Sequence, residues 1–270
     1  MLDKCRIGII GAGNMGGGLI AGLLRGGRVA PQHIMATDPR DEVLDPLRQA
    51  GVETSPDTAA ALRGRDLVVA AVKPQLATEV LTAIAPDLET SQLLISVMAG
   101  VSTGVIEAQL GTSVPVVRAM PQMLAQVGAA ATAVCAGSHA TDEHMSLAFA
   151  LFDAVGSTVA VAESQMNAVT GLSGSGPAYV YTVIEALVDG GVNVGLPRDT
   201  ATTLAAQTVA GAARMVLESG RHPAILKDQI TSPGGTTIAG LHKVEEKGLR
   251  DALISAVQAA TRRADELGGS

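Results

Sequence analysis

The chain has 270 residues, 47% of them hydrophobic, with two Phe, two Tyr and no Trp, so its core must be built of Ala, Val, Leu and Ile. A formal net charge of −7 without a Lys/Arg cluster excludes nucleic acid or an anionic membrane surface as the partner. No apolar run reaches the roughly 18 residues of a bilayer span. Cys5 and Cys135 lie far apart with no C-x-x-C, and the chain enters a strand almost at once, so the reading is a soluble cytoplasmic protein with reduced thiols.

Residues 5–10 form a short apolar run of buried-strand type. Gly11-Ala12-Gly13-Asn14-Met15-Gly16 follows, then Leu19, Ile20, Leu23 and Leu24 at helical spacing. A G-x-G-x-x-G between strand and helix is the setting in which a dinucleotide binds. Gly11 permits the tight turn, Gly13 lets backbone N–H groups approach a pyrophosphate, and Gly16 lets the helix pack on the strand. The plain alternative is a glycine-rich helix start with no ligand. The second strand is predicted over residues 33–37, with Asp38 at its end. A carboxylate there binds adenosine ribose hydroxyls and disfavours a 2′-phosphate, whereas Arg40 could reach a 2′-phosphate. Asp38-Pro39 also makes a turn with no ligand. NADH and NADPH both stay open.

The alternation continues with a helix over 57–62 behind Pro56, a strand over 66–72, a helix over 76–85 and a strand over 93–98. Ser102 is placed to cap a helix over 103–110, and a further strand covers 114–118. Apolar strands alternating with helices predict a parallel doubly wound sheet covered on both faces. Ligands in such sheets lie outside the carboxyl ends of the strands. Besides the glycine turn and Asp38, those ends are Val72-Lys73-Pro74, Ala99-Gly100 and Met120-Pro121. Lys73 reads equally as a surface lysine or a cofactor contact, and Ala99-Gly100 as a smooth floor for a flat nicotinamide. A strand over 131–136, a helix over 142–154 and a strand over 157–161 complete a first domain, residues 1–162. His139 and His144 lack partners at metal spacing and read as surface residues, so no metal is expected.

From residue 163 to 270 the period is helical. Gly171-Leu172-Ser173-Gly174-Ser175-Gly176-Pro177 leads into a long helix that should end at Gly190-Gly191. Further helices are predicted over 198–218, 223–230, 236–246 and 249–267. Ala-rich amphipathic helices with few aromatics suit an interlocked dimer, and a self-contained bundle is the other arrangement. Thr231-Ser232-Pro233-Gly234-Gly235-Thr236-Thr237 is a hydroxyl-rich turn opening the helix over 236–246. Its unpaired N–H groups and dipole suit a small carboxylate or phosphate without Arg or Lys. A capped helix start with no ligand is the bland reading.

These blocks, together with Ile9-Ile10-Gly11-Ala12-Gly13-Asn14-Met15, Val72-Lys73-Pro74-Gln75 and the run from Thr231 to His242, resemble the pyrroline-5-carboxylate reductase family over essentially the whole length. The last block is the most specific of them. The resemblance implies an α/β fold, with an N-terminal Rossmann-type doubly wound sheet followed by an all-α C-terminal dimerisation domain. It also implies NADPH or NADH as reductant and a homodimer, with assembly up to a decamer. By the same resemblance Gly11, Ala12, Gly13, Asn14 and Met15 hold the pyrophosphate, and Val72, Lys73, Pro74, Ala99 and Gly100 line the nicotinamide side. Ser232, Gly234, Gly235, Thr236 and Thr237 hold the substrate, the Thr237 hydroxyl orienting the ring nitrogen as the catalytic contact. One departure stands out: many relatives read Met-Pro-Asn-Thr-Pro where this chain has Met120-Pro121-Gln122-Met123-Leu124, which puts efficiency and substrate choice in question. The rivals are reduction of another cyclic imino acid and a non-catalytic NAD(P)-binding regulatory protein. A β-hydroxyacid-type dehydrogenase would need a lysine where Val180 stands.

Overall fold

A computed structural model describes residues 2–268. Its first compact unit comprises Met1–Gly174 with Ala260–Ser270, and its second Ser175–Ala259. The first unit is organised on one eight-stranded sheet of order β3-β2-β1-β4-β5-β6-β7-β8. The strands are β1 (Ile7–Ile10), β2 (Ile34–Thr37), β3 (Glu53–Ser55), β4 (Leu67–Ala70), β5 (Leu93–Ser96), β6 (Val116–Met120), β7 (Ala130–Ala136) and β8 (Gly156–Ala160). Strands β1 to β6 run parallel, as expected. β7 runs antiparallel to β6 and carries β8 parallel to itself, so the sheet is not parallel throughout. The cause is the connection. Between β6 and β7 only a 3-10 turn, Met123–Val127, intervenes, too short for the crossover a parallel return needs.

Alternate side chains of each central strand enter different cores, which is why these strands are apolar on both faces. Ile7, Ile9, Val69 and Ile95 pack with Leu19, Ile20 and Leu23 of α1 (Asn14–Arg25) and with Leu151 and Phe152 of α5 (Asp142–Asp153). Ile10, Val68 and Leu94 pack on the other side with Leu81 and Ile84 of α3 (Ala77–Ile84) and Ile106 and Leu110 of α4 (Thr103–Leu110). Ser102 caps α4 as expected, its Oγ accepting the Val105 N–H at 3.3 Å. Two elements come as additions: α2 (Asp41–Gln49) and the edge strand β3. The helix expected over 57–62 is a single 3-10 turn, Thr58–Ala61, because the Asp57 carboxylate caps it immediately and only four residues separate the cap from Leu62. Cys5 and Cys135 are free and buried.

A short helix α6 (Met166–Val169) and a π-helical turn, Thr170–Gly174, end the first unit's main run. The second unit holds α7 (Gly176–Asn193), α8 (Arg198–Ser219), α9 (Pro223–Gln229), α10 (Thr236–Glu246) and most of α11 (Leu249–Gly268). α7 does not stop at Gly190-Gly191. A Cβ on Gly191 would come within 3.1 Å of the Ala201 Cβ, so the glycine serves close packing of α7 on α8 and the helix continues through it. The buried apolar cluster of this unit is small: Val188, Ala201 and Ala205. Large apolar side chains lie in solvent instead, including Val194, Leu204, Met215, Leu217 and Ile230, with Leu217 80% exposed. Among the described residues no helix is long and apolar enough to cross a membrane.

Candidate active site

The carboxyl ends of β2, β1, β4 and β5 are neighbours in the sheet, so the fold gathers Asp38, Gly11–Met15, Val72–Pro74 and Ala99–Gly100 along one rim of the first unit. Gly11 has φ +91°, and a Cβ there would sit 2.7 Å from the Ala71 carbonyl oxygen. A Cβ on Gly16 would collide with the Gly11 carbonyl oxygen, so the strand-to-helix turn closes only around bare backbone. α1 then begins with no side-chain cap and no acid in its first turn. Its leading amides keep the hydrogen-bonding capacity and positive dipole end that a pyrophosphate requires. This cradle fits a dinucleotide. Lys73 and Pro74 are exposed, and Val72 is half-buried. Gly100, with φ +76°, packs on the end of α11 at Gly268.

Asp38 is buried, and four donors converge on it. Oδ2 accepts from the Ala12 N–H at 3.1 Å and from Arg40 Nη2 at 3.0 Å; Oδ1 accepts from the Arg40 N–H at 3.1 Å and Nε at 2.9 Å. Burial pushes the carboxyl up, but the Arg40 hydrogen bonds and charge, with the Ala12 N–H, outweigh it and hold it below the usual carboxylate range.

A second polar cluster escaped sequence reasoning. Glu163 accepts from the Thr103 N–H at 2.7 Å and Thr103 Oγ1 at 2.6 Å, and pairs with buried Arg118 at 3.3 Å. It thereby satisfies the start of α4. The three residues have no common spacing in the sequence, so only the fold reveals them. Gln122, at the departure from the family pattern, is 7% exposed and donates from Nε2 to the Ser173 carbonyl at 2.9 Å. It ties the β6–β7 loop to the π-helical turn. His144 Nδ1 accepts the Thr141 N–H at 3.0 Å in a capping box, and no group of three or more His, Cys, Asp or Glu placed to hold a metal occurs among the described residues.

In the second unit the Gly235 N–H donates to the Ser232 carbonyl at 3.1 Å, closing a turn with Pro233 second and Gly234, φ +69°, third. That sequence and that positive φ are the type II arrangement. A side chain on Gly235 would strike the Ser232 hydroxyl. α10 starts at once from Gly235, with no side-chain cap and no acid in its first turn; Thr236 is exposed and Thr237 half-buried. α10 thus opens on leading amides that no side chain caps. A groove of about 600 Å³ between α9 and α10 is lined by Lys227, Thr231, Gly234, Gly235, Ile238 and His242, among others. A lysine thus stands near the turn, with Glu245 on the same groove to offset it.

Comparison with known proteins decides the family. Residues 163–267 match the model described as pyrroline-5-carboxylate reductase dimerisation, and residues 6–100 that of NADP oxidoreductase, coenzyme F420-dependent. A pyrroline-5-carboxylate reductase of Methanosarcina acetivorans is 46% identical over 268 residues, covering 99% of each chain. That of Synechocystis sp. is 45% identical over 97% of this chain and 98% of its own. The chain belongs to the pyrroline-5-carboxylate reductase family. Solved structures of pyrroline-5-carboxylate reductases agree. The protein from Coxiella burnetii superposes with a TM-score of 0.90 at 37% identity, covering 98% of both chains. The Plasmodium falciparum pyrroline carboxylate reductase, solved with NADP bound, gives 0.87 at 30%, over 99% of this chain and 100% of its own. As a member of this family the chain is an oxidoreductase, and the absence of lysine at Val180 on α7 fits a reductase that makes no use of an amine base there.

Proposed function

We propose that this protein reduces 1-pyrroline-5-carboxylate to L-proline, the last step of proline synthesis, with NADPH or NADH. The observation that carries this reading is the turn Ser232–Gly235 opening α10, an uncapped helix start bearing Thr236 and Thr237 inside the stretch that matches the family model. The substrate is a cyclic imine with one carboxylate. The amides of Thr236 and Thr237 hold that carboxylate, with Gly234 and Gly235 giving the turn its shape and the Ser232 hydroxyl bordering it. The Thr237 hydroxyl hydrogen-bonds the ring nitrogen and fixes the face of the C=N bond. A hydroxyl is a poor acid near neutral pH, so Thr237 orients; the iminium proton comes from solution. The reduced nicotinamide supplies the hydride that the imine carbon accepts. In the first unit Gly11, Ala12, Gly13, Asn14 and Met15 bind the pyrophosphate, Asp38 braces the adenosine end, and Val72, Lys73, Pro74, Ala99 and Gly100 border the nicotinamide. Most of the rate enhancement comes from positioning.

The working unit in this reading is a homodimer in the cytoplasm, dividing the chain into a cofactor-binding part, 1–162, and a substrate-binding and dimerisation part, 163–270. The exposed apolar helices of the second unit support a covering second copy. The free thiols of Cys5 and Cys135 support a reducing compartment. A decamer is the larger assembly that light scattering should test.

The test is oxidation of NADPH and NADH by the purified protein with pyrroline-5-carboxylate, pyrroline-2-carboxylate and a panel of 2- and 3-hydroxy acids. Turnover with pyrroline-5-carboxylate is expected, with little on the other imine. Turnover only with pyrroline-2-carboxylate would move the substrate to another cyclic imino acid. No turnover with either imine would reject the reductase reading.

A further inference from the structure

We propose that Glu163 is a positioning residue for the hydride transfer: by bracing the loop of residues 97–102 it holds Ala99 and Gly100 where they border the nicotinamide. The inference rests on the reading of that loop as the nicotinamide border. The loop leaves β5 after Ser96 and enters α4 at Thr103. Ser96 stands in register with Arg118 of β6. Glu163 ties these two ends together. Its Oε1 accepts from Arg118 Nη1 at 3.3 Å and from the Thr103 N–H at 2.7 Å, while Oε2 accepts from Thr103 Oγ1 at 2.6 Å. One carboxylate thus spans from the strand beside the loop's beginning to the residue at its end. Two charge-assisted contacts on Thr103 fix the orientation of the first turn of α4 as well as its place. The carboxylate also meets the positive end of the α4 dipole there.

Starting a helix does not require this arrangement. Ser102 already caps α4 from within the chain, so a carboxylate brought from 60 residues beyond Thr103 does more than nucleate the turn. The brace is buried at both ends, Arg118 and Thr103 each being 6% exposed. The same segment carries a second brace. Asn167 Nδ2, four residues after Glu163, donates to Asp265 Oδ1 at 2.8 Å near the end of α11, beside the buried Ala264. Gly268, at the end of that helix, lies against Gly100: a Cβ on Gly268 would stand 3.3 Å from the Gly100 carbonyl oxygen. The loop is therefore held at its end through Glu163 and at its middle through Asn167 and α11, all within the first unit. None of these contacts is made to the residues assigned to the pyrophosphate. What they govern is the placing of the ring, where an error of about 1 Å can cost about a hundred-fold in rate.

The fluorescence lifetime of NADPH bound to the full-length protein reads this without catalysis, since it reports how firmly the dihydronicotinamide is held, and the chain has no Trp to interfere. Titration with 2′,5′-ADP, which lacks that ring, is the control. Glu163→Ala is expected to shorten the bound lifetime toward that of free NADPH while binding 2′,5′-ADP within about two-fold of wild type. Glu163→Gln keeps an oxygen for the Thr103 N–H and offers an amide to its hydroxyl, so it should retain the wild-type lifetime. If Glu163→Ala does not fold, Thr103→Val, which removes only the hydroxyl contact, is expected to shift the lifetime in the same direction and is judged by the same outcomes. An unchanged lifetime in Glu163→Ala would overturn the inference, as would a Gln variant that behaves like the Ala one. Equal weakening of NADPH and 2′,5′-ADP would also overturn it, by reducing Glu163 to a prop for the whole unit. Ala99→Leu judges the border separately. If it alters the lifetime and Glu163→Ala does not, the inference alone falls; if Ala99→Leu leaves the lifetime unchanged, the assignment of the nicotinamide border falls and takes the inference with it.

Discussion

At the scale of single residues, the proposed chemistry is concentrated in groups that carry little charge. Thr237 sits one residue inside an uncapped helix start, where backbone amides supply the positive field and a side chain need only orient. Thr237→Ala is expected to lower kcat with pyrroline-5-carboxylate by about ten-fold or more, the worth of one hydrogen bond in a dry site, while NADP+ affinity stays at the wild-type value. Unchanged kcat would take Thr237 out of the site. Glu163 makes a different kind of contribution. Burial raises its carboxyl, but the Thr103 hydroxyl and N–H and then Arg118 pull it further the other way, so the folded value lies below the ordinary one. A carboxyl lowered on folding stabilises fully above its unfolded value, about 4.3, and that contribution disappears as pH falls through the folded value. Because the side chain is one-third exposed, Glu163→Gln should cost only about 1 kcal/mol at pH 7 by urea unfolding. The gap between wild type and variant should begin to narrow as pH falls below about 4.3 and go on narrowing through the lower folded value. A gap that does not narrow at all as pH is lowered from about 5 toward the acid limit of folding would show that something other than charge is lost.

At the scale of elements, the sequence was most legible where strands are buried on both faces and helices keep one apolar stripe. β1, β2, β4 and β5 and helices α1, α4 and α10 fall where their patterns place them, α4 and α10 to the residue. What escaped follows a physical rule. α2 buries only Leu44 and Leu47, surrounds them with charges and contains Pro46, so its stripe is faint and its proline reads as a breaker. β3 is a three-residue polar edge strand that needs only β2 beside it. The reversal at β7 was hidden because direction is set by the length of a connection, and a 3-10 turn leaves no periodicity to read. The continuation of α7 through Gly190-Gly191 belongs to packing against Ala201, a contact 10 residues further along the chain from Gly191 and invisible to local propensity. The candidate site shows the same division. The glycine turn and the α10 turn were legible, because bare backbone has a sequence signature. The state of Asp38 was not, since whether a carboxylate faces a ligand or its own arginine depends on side-chain geometry.

At the scale of the whole molecule, the two units differ in how they are held together. The first has cores on both faces of an eight-stranded sheet, with Phe152 and large aliphatic side chains such as Ile7, Leu67 and Leu81 fully enclosed. The second leaves Leu217, Val194 and Ile230 in solvent around a cluster of three small buried side chains. Helices with so little private core gain their stability from a partner. Sedimentation should therefore find a species of at least twice 27.2 kDa, and the melting temperature should rise with protein concentration. A 27.2 kDa species with concentration-independent melting would show that the second unit stands alone.

The central claim is that an imine whose carboxylate lies remote from the C=N carbon is reduced by hydride addition. Turnover with NADPH carrying deuterium at both C4 positions, in ordinary water, tests it most directly. The product is expected to be L-proline with one deuterium on its δ carbon and none on Cα. Deuterium on Cα would mean that the carbon bearing the carboxylate had been reduced, and unlabelled proline would mean that no hydride had been transferred; either result contradicts the account.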